Sequence, residues 1–255
     1  MQTSKIFLTQ VRVLTIANLK SRYRKTVAGF LWVVLNPLLM YGVQSQIFKK
    51  FLKLGVPNYY LFLASGLLPW IFIVQTLEMG TPTILHNGHL LKSYPTSPLV
   101  YLTSQIADNF INFIAAFLIV LVPVAYMEKV TIPGLLLLPI PLFFLILGVL
   151  GMVWFLATLQ VFFRDTNFIL RFALSILYFM TPIFYPVSYI PENLRWIAGI
   201  NPIYILIAPF RICIYSFEIH QFTSALVPAV VVGILSPIFA YLYWQRKKND
   251  IYFNL

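Results

Sequence analysis

The chain has 255 residues, of which 60% are hydrophobic and only 10% are charged, against about a quarter charged in soluble domains. This composition excludes a water-soluble globular protein, because there is too little polar material to coat one. The formal net charge of +11 would favour nucleic acid binding in a soluble chain. Here the basic residues lie at the ends of apolar runs, so membrane lipids are the expected partners and nucleic acid is not.

Residues 1–25 form a basic N-terminal segment. No apolar stretch precedes a small-residue cleavage site, so no cleavable signal peptide is predicted and the segment is expected to stay in the cytoplasm. Its apolar part is too short to cross a bilayer, and we predict an interfacial helix lying on the cytoplasmic surface. The basic residues of this segment are Lys5, Arg12, Lys20, Arg22, Arg24 and Lys25.

Six long stretches that are almost free of charge follow. Burying a charge at the bilayer centre costs at least ~3 kcal/mol, and a crossing helix needs about 20 residues, so such stretches predict the spans. The sequence thus predicts an all-α integral membrane protein, a single domain over residues 1–255 with six transmembrane helices. The predicted spans are residues 26–48, 54–77, 99–127, 133–160, 168–187 and 220–245.

A cytoplasmic loop, residues 79–98, separates the second and third spans. It contains His86 and His89, but two histidines alone seldom form a metal site, so a solvated loop is favoured and no metal site is predicted. Asp108 is the one acidic residue that could lie inside a span. Because it is within a few turns of the cytoplasmic end, it is expected to meet water or Lys92.

Residues 190–213 lie between the fifth and sixth spans. Their uncharged stretch, residues 196–210, has 15 residues and contains Pro202 and Pro209, so it is too short and too interrupted to cross. We predict short re-entrant helices on the external side.

Both ends of the chain are basic, which places both termini in the cytoplasm and requires an even number of crossings. With six spans, twelve of the 18 Lys and Arg residues are cytoplasmic and six are external, the bias expected in a cytoplasmic (inner) membrane. One external cluster runs against this bias and would suit an anionic glycan or lipid. It consists of Lys49, Lys50 and Lys53.

Motifs for nucleotide binding and hydrolysis are missing from the sequence. No glycine precedes a lysine, so there is no P-loop for ATP, and neither H-E-x-x-H nor G-x-S-x-G occurs. We predict no catalytic residue and no cofactor in this chain. Aromatic residues inside the spans either pack ordinarily or stack on sugar rings in a channel. The channel candidates are Trp32, Tyr41, Trp70, Tyr178 and Tyr185.

Five short motifs resemble, in order, those of the permeases of polysaccharide-exporting ABC transporters, the type-2 exporter permeases. They are RYRK (22–25) with GFLW (29–32) and NPLL (36–39), GLLPW (66–70), FFRD (162–165), TPIFYP (181–186), and NP (201–202) with a later arginine. The similarity covers essentially the whole chain. The residues carried over as family positions are Arg164, Asp165, Pro182, Asn201, Pro202 and Arg211. Of these, Arg164 and Asp165 are expected to form local pairs that fix the loop or the ATPase contact, or a helix-end cap.

The resemblance implies a half-transporter that forms a homodimer and docks two cytoplasmic ATPase subunits, which bind ATP and Mg²⁺. It implies lipid-linked glycans as substrates, such as O antigen, capsule or teichoic acid. The loop 79–98 resembles the coupling element of the family, and residues 190–213 resemble its external gate helices. The residues implied to couple to the ATPase are Leu85, His86, Leu91, Lys92, Arg22 and Arg24.

Three alternatives stay open at this point. A related ABC exporter for a small lipid or a drug is the nearest. A membrane-embedded glycolipid enzyme would need clustered carboxylates or a phosphate-binding basic pair, and the seven acidic residues here are scattered singly. A channel or carrier without an ATPase is the third, although the few charges inside the spans disfavour a charge-coupled carrier.

Overall fold

The structure is a computed structural model, and it describes residues 2–23, 31–51, 55–94, 96–127 and 132–254. All regular secondary structure within these ranges is helical, which confirms the all-α class. A π-helical turn, Ile47–Phe51, follows α2, and two 3₁₀ turns, Val187–Tyr189 and Glu192–Leu194, precede α10. The α-helices are α1 (Gln2–Tyr23), α2 (Leu31–Gln46), α3 (Tyr59–Gly80), α4 (Thr83–His86), α5 (Gly88–Ser93), α6 (Pro98–Met127), α7 (Ile132–Leu137), α8 (Pro139–Phe162), α9 (Thr166–Met180), α10 (Arg195–Ile200), α11 (Pro202–Tyr215) and α12 (Ile219–Asn254).

Helix α3 is the centre of the molecule. Residues on all its faces are buried, because α2, α6, α8, α9 and α11 pack around it. A helix that is apolar all round is stable when every face is covered. Its hydroxyl groups are satisfied locally, since Ser65 and Thr76 donate to carbonyls of the preceding turn at 2.8 and 2.6 Å. The helix therefore fits an apolar environment along most of its length.

Phenylalanine rings join α3 to α6 and α11. The ring centroid of Phe113 on α6 lies 5.2 Å from that of Phe72 on α3, and the centroid of Phe117 lies 5.4 Å from that of Phe210 on α11. Offset and tilted aromatic pairs of this kind stabilise beyond their buried area. They fix two helices that carry site residues against the central one.

Helices α8 and α12 form a very close pair. A Cβ at Gly151 of α8 would overlap the backbone of Ser236 and Pro237 on α12, and the Ser236 hydroxyl donates to the carbonyl of Gly148 at 3.1 Å. Small residues allow such close approach between membrane helices, where van der Waals packing replaces the hydrophobic effect as the driving force.

Helices α10 and α11 meet at a sharp bend. The segment Glu192–Ile200 makes an angle of 94° with Pro202–Tyr215. Asn201 caps α11, because its Oδ1 accepts hydrogen bonds from the backbone N–H groups two and three residues later, at 3.0 and 3.3 Å. Pro202 occupies the first helical position, where a missing N–H costs nothing. The Asn-Pro pair therefore separates the two helices.

Four stretches of the described chain are long and apolar enough to cross a membrane. They are Tyr59–Gly80, Pro98–Val124, Ile132–Phe162 and Ile219–Ile251, the third comprising α7 and α8. The chain is therefore a multi-pass membrane protein. Helices α2 and α9, with 16 and 15 residues, are shorter than the about 20 residues that a crossing needs. The six-span arrangement and the re-entrant helices stay predictions.

Two helices have different ends from the predicted spans. Helix α9 ends at Met180, whereas the predicted fifth span continues to residue 187, because Pro182 and Pro186 cannot donate the hydrogen bonds of a longer helix. Helix α12 continues to Asn254, well past residue 245. Its charged end is compatible with a helix in water, where Lys247 lies 3.9 Å from Asp250.

Candidate functional site

A cavity of about 450 Å³ opens between α2, α3 and α9; we name it the groove. Most of its wall is apolar, but hydrogen-bonding side chains interrupt the apolar surface. They are Gln44 of α2, Gln75 and Glu78 of α3, and Ser175 of α9. Polar side chains are costly in membrane helices and usually mark a path for a polar ligand. The groove therefore suits a ligand that has both apolar faces and hydrogen-bonding groups.

Two of the aromatic channel candidates meet in the groove. The ring centroids of Trp70 and Tyr178 lie 5.9 Å apart, with the rings tilted by 51°. The Gln44 amide donates a hydrogen bond to the Tyr178 hydroxyl, and the Tyr178 ring lies edge-on to Phe184 at 5.0 Å. Such rings present an apolar face beside a polar group. The arrangement brings an aromatic platform next to hydrogen-bonding amides.

The other aromatic candidates lie elsewhere. The Tyr41 hydroxyl donates to the Tyr60 carbonyl at 3.0 Å, and the Tyr185 hydroxyl donates to the Phe179 carbonyl at 2.9 Å. Both hydroxyls therefore bond to the backbone, and neither residue lines the groove. The side chain of Trp32 lies outside the described residues.

The sequence analysis missed the two groove glutamines, Gln44 and Gln75. Both lie in predicted spans, within stretches that contain no charged residue. An amide side chain in such a stretch is a signal of its own, because it needs a hydrogen-bonding partner in lipid. Ranking spans by uncharged polar residues as well as by charge would have found them.

A buried arginine joins residues from three of the family motifs. The Arg211 guanidinium donates to the carbonyls of Pro182, at 2.7 Å, and Ile183, at 3.0 Å, and lies 4.3 Å from the ring centroid of Phe62. It fills the space over Gly66, where any Cβ would overlap it. In the described part of the chain no carboxylate is within ion-pair distance of Arg211. Carbonyl dipoles and an aromatic face therefore stabilise its charge.

Further hydrogen bonds hold the segment 181–186 between α3 and α11. Asn201 Nδ2 donates to Thr181 Oγ1 at 2.8 Å, and the Tyr59 hydroxyl donates to the Phe184 carbonyl at 3.1 Å. The segment follows α9 directly, so these bonds and those of Arg211 fix the end of the helix that carries Tyr178. The family motifs thus position one wall of the groove.

The loop 79–98 contains the two short helices α4 and α5. His86 and Lys92 are exposed, whereas Leu91 is 4% exposed and Leu85 is half-buried. Helix α4 packs on α6 and α8. The leucines therefore anchor this element to the helix bundle, and the polar side chains face outward. Arg24, another predicted coupling residue, lies outside the described residues.

A second cavity, of about 370 Å³, separates α1 from α4 and α5. Its wall includes Asn18 of α1, His86, Asn87, Gln105 of α6 and Arg171 of α9. Helix α1 packs instead along α6. Helix α1 thus faces α4 and α5 across this cavity.

Arg22, near the end of α1, pairs with a buried carboxylate. Its guanidinium forms an ion pair with Asp108 of α6 and donates to Asn109 Oδ1 at 2.9 Å. Asp108 is fully buried, so the prediction that it meets water or Lys92 is wrong. The reason is that α1 folds back onto α6, and charge counting cannot reveal a contact between residues 86 positions apart.

One residue of the lysine cluster predicted to be external has a described side chain. The Lys49 ammonium lies 3.9 Å from the ring centroid of Tyr60, which is cation–π distance. The side chain of Lys50 and the whole of Lys53 lie outside the described residues.

Residues 9–215 match the family described as ABC-2 type transporter. The chain belongs to the ABC-2 type transporter family. It is similar to the O-antigen export system permease protein RfbA of Myxococcus xanthus, with 30% identity over 91% of the chain and 90% of that protein. It is also similar to RfbA of Klebsiella pneumoniae, with 28% identity over 78% of the chain and 77% of that protein. These findings confirm the family resemblance that the motifs indicate.

The matched range of this ABC-2 type transporter contains the groove, α4 and α5, and the Arg211 contact, and it ends at Tyr215, the last residue of α11. The chain is therefore a transport component of the membrane. Helix α12 lies beyond the matched range and packs on α8 and α11.

The turn between α8 and α9 carries two further motif residues of this ABC-2 type transporter. Arg164 and Asp165 are both exposed, and Asp165 stands at the N-cap of α9 without a side-chain capping bond. The Asp165 side chain thus makes no helix-end cap, contrary to that expectation, and the Thr166 hydroxyl donates to the Phe163 carbonyl at 2.6 Å. No ion pair between Arg164 and Asp165 is present among the described residues.

Proposed function

We propose that this chain is the permease subunit of an ATP-driven exporter that moves lipid-linked polysaccharide across the cytoplasmic membrane. Two copies form the translocation path, and two cytoplasmic ATPase subunits bind ATP and Mg²⁺ and supply the energy. The substrate class is O antigen, capsule or a teichoic-acid-like glycan. Similarity to proteins named as O-antigen export system permeases supports this class.

The observation that carries the proposal is the similarity to proteins named as O-antigen export system permeases, and the groove fits it. Here Gln44, Gln75, Glu78 and Ser175 all reach the groove wall, beside the aromatic platform of Trp70 and Tyr178. A polysaccharide needs this combination, because each sugar has apolar C–H faces and hydroxyl groups at its edge. The groove thus suits a glycan, and the similarity to O-antigen export system permeases favours a glycan over a small lipid or a drug.

In the proposed topology, α2, α3, α6, α7 with α8, α9 and α12 cross the membrane, and both termini lie in the cytoplasm. Helices α10 and α11 form the external re-entrant element, and their 94° bend supports this. Helix α1, α4 and α5 then lie together at the cytoplasmic face. In this arrangement, the exposed His86 and Lys92 contact the ATPase.

The groove needs a second copy to become a closed path. On α9, Phe168, Phe172 and Phe179 are largely exposed, and on α2 so are Leu39 and Val43. These two helices border the groove on the side away from the bundle core. A second copy related by a two-fold axis presents the same helices in return, which encloses a path from two identical halves.

ATP-driven movement reaches the groove through a short chain of packed elements. The end of α3 leads through Thr81 and Pro82 into α4, and α3 itself carries Gln75 and Glu78 of the groove wall. Gly80 lies against Val153 of α8 so closely that a Cβ would overlap it. A push on α4 therefore displaces the groove-lining end of α3 against α8.

The test is display of polysaccharide on source cells that lack their chromosomal copy of this chain. The full-length chain, expressed with its ATPase from a plasmid, is expected to restore display, measured by antibody labelling of intact cells. Gln75→Leu is expected to lower the rate of display about tenfold, the equivalent of roughly 1.4 kcal/mol. Gln245→Leu on the exposed end of α12 is the matched control and is expected to change nothing. Normal display in the deletion strain without a plasmid would contradict the proposed function.

A further inference from the structure

The ion pair between Arg22 and Asp108 is the most deeply buried ionic contact that the described residues form. The Asp108 side chain is 1% exposed and the Arg22 side chain 23% exposed. Gln105 Nε2 also donates to Asp108 Oδ2 at 3.4 Å. A buried carboxylate is stable only with a cation or several donors in contact. Arg22 is the one cation within ion-pair distance of Asp108 in the part of the chain that is described.

A second contact on the same face of α1 supports the first. Thr15 is 7% exposed, and its hydroxyl donates to the Val11 carbonyl at 2.8 Å and lies 3.4 Å from the Ser104 carbonyl of α6. Thr15 and Arg22 are seven positions apart, so they lie on one face of a helix. Helix α1 is therefore fixed along α6 over two turns.

Arg22 also contacts the end of α3 that leads into the coupling element. Its Nη2 lies 3.4 Å from the sulfur of Met79, the second-last residue of α3. The cavity of about 370 Å³ interrupts packing between α1 and the helices α4 and α5. The contact at Met79 is thus a route by which a displacement of α4 reaches α1 without crossing that space.

We infer that Arg22 and Asp108 are a positioning pair that makes α1 and α6 move as one body when α4 and α5 are displaced. The pair stays closed through the transport cycle, because opening it would leave a buried carboxylate without its cation. This inference rests on the proposed function and adds a route from the ATPase to the N-terminal helix. Neither residue touches the groove, so the pair acts on transport through helix position.

The first experiment removes both charges together. The full-length chain with its ATPase is placed in vesicles of the source lipids, and ATP hydrolysis and movement of purified lipid-linked glycan are measured side by side. Arg22→Gln with Asp108→Asn leaves no unpaired buried charge, so the complex is expected to assemble. The glycan moved per ATP hydrolysed is expected to fall at least about tenfold. Arg12→Gln, a charge removed from an exposed position of α1, is expected to keep the wild-type ratio.

The second experiment replaces the pair by a covalent bond. Thr15→Cys with Ser104→Cys, in a Cys213→Ser background, is oxidised to join α1 to α6. When Arg22 and Asp108 are both present, the disulfide bond is expected to leave the glycan moved per ATP hydrolysed unchanged. Added to the doubly neutral variant, it is expected to restore the ratio, and reduction is expected to lower it again. If the disulfide bond blocks transport, the inference is wrong, because α1 would then have to separate from α6 during the cycle.

The wild-type complex separates this inference from the proposed function. If it moves no glycan with ATP, the proposed function fails before any variant is compared. If the wild-type complex moves glycan, and the doubly neutral variant moves as much glycan per ATP, the inference about the positioning pair is wrong while the proposed function stands. A purely structural pair would lower the amount of assembled complex and leave the glycan moved per ATP unchanged.

Discussion

The missing side chain of Gly66 allows Arg211 to be buried against α3. A Cβ there would overlap the guanidinium, which two backbone carbonyls already hold in place. We therefore expect Gly66→Ala to lower the free energy of unfolding by about 2–3 kcal/mol, through overpacking and weakened hydrogen bonds. Thermal unfolding of the purified chain in detergent measures the change.

Gly42→Ala is the matched control for this substitution. Gly42 also lies in a helix, and a Cβ there would have nothing within 4 Å. Because alanine has the higher helix propensity, the control is expected to be neutral or slightly stabilising. Equal stability of the two alanine variants would show that Arg211 does not depend on the space over Gly66.

Single residues show clearly how far the sequence alone could predict the site. The motifs contain Gly66, Pro182 and Arg211, but nothing in the sequence indicated that they form one contact. Asp108 was predicted at the water boundary, and the structure buries it against Arg22 instead. In both cases the partner lies in another helix far along the chain, and periodicity and charge counting report only local order.

At the scale of single elements, the predicted coupling residues of α4 and α5 are of two kinds, exposed polar side chains and buried leucines. His86→Ala with Lys92→Ala removes exposed side chains. We expect the dissociation constant for the ATPase to rise about tenfold, roughly 1.4 kcal/mol, with the unfolding temperature unchanged. Binding of the purified ATPase to the chain in nanodiscs gives the dissociation constant.

Leu91→Ala is the complementary variant. Because Leu91 is buried in the core, we expect a cavity that costs about 2–4 kcal/mol of stability. If instead Leu91→Ala weakened ATPase binding at full stability, and the doubly substituted surface did not, the assignment of the exposed side chains to the partner would be wrong.

The Asn201 cap is a second element with a measurable role. Asn201→Ala removes both the cap of α11 and the hydrogen bond to Thr181, and we expect a loss of about 1–3 kcal/mol. Asn201→Ser keeps a capping oxygen but loses the amide that donates to Thr181, so an intermediate loss of stability is expected. Chemical denaturation in detergent distinguishes the two. A serine variant no better than alanine would show that the cap contributes little.

The two prolines of residues 196–210 indicated an interrupted stretch without indicating where it breaks. The structure bends by 94° at Asn201 and Pro202, whereas Pro209 lies inside α11. The end of α9 at Met180 was missed, although Pro182 and Pro186 are the same kind of signal. Counting the residues between charges favours long spans, so this method missed the helix end that the two prolines indicate.

At the scale of the whole molecule, the proposed second copy is expected to cover the groove side of α9. Lipid covers apolar side chains equally well on α9 and on α12, so exposure alone does not distinguish an interface. The groove does, because its hydrogen-bonding wall beside α9 would face acyl chains in a lone subunit, and such exposure is costly. In the proposed homodimer, a second copy of the chain removes this cost by enclosing the groove.

Single cysteines test this arrangement directly, because a residue near a two-fold axis meets its own copy. The natural Cys213 is buried and is the one cysteine of the sequence, so it gives no background. Cysteines at Phe168, Phe172 and Phe179 are introduced one at a time, and a mild oxidant is added to membranes. We expect at least one of them to form a disulfide-linked dimer on a non-reducing gel, since bridged Cα atoms must lie within about 7 Å. Ile238→Cys on the exposed face of α12 is expected to stay monomeric; the reverse pattern would place the interface on α12 and leave the groove open to lipid.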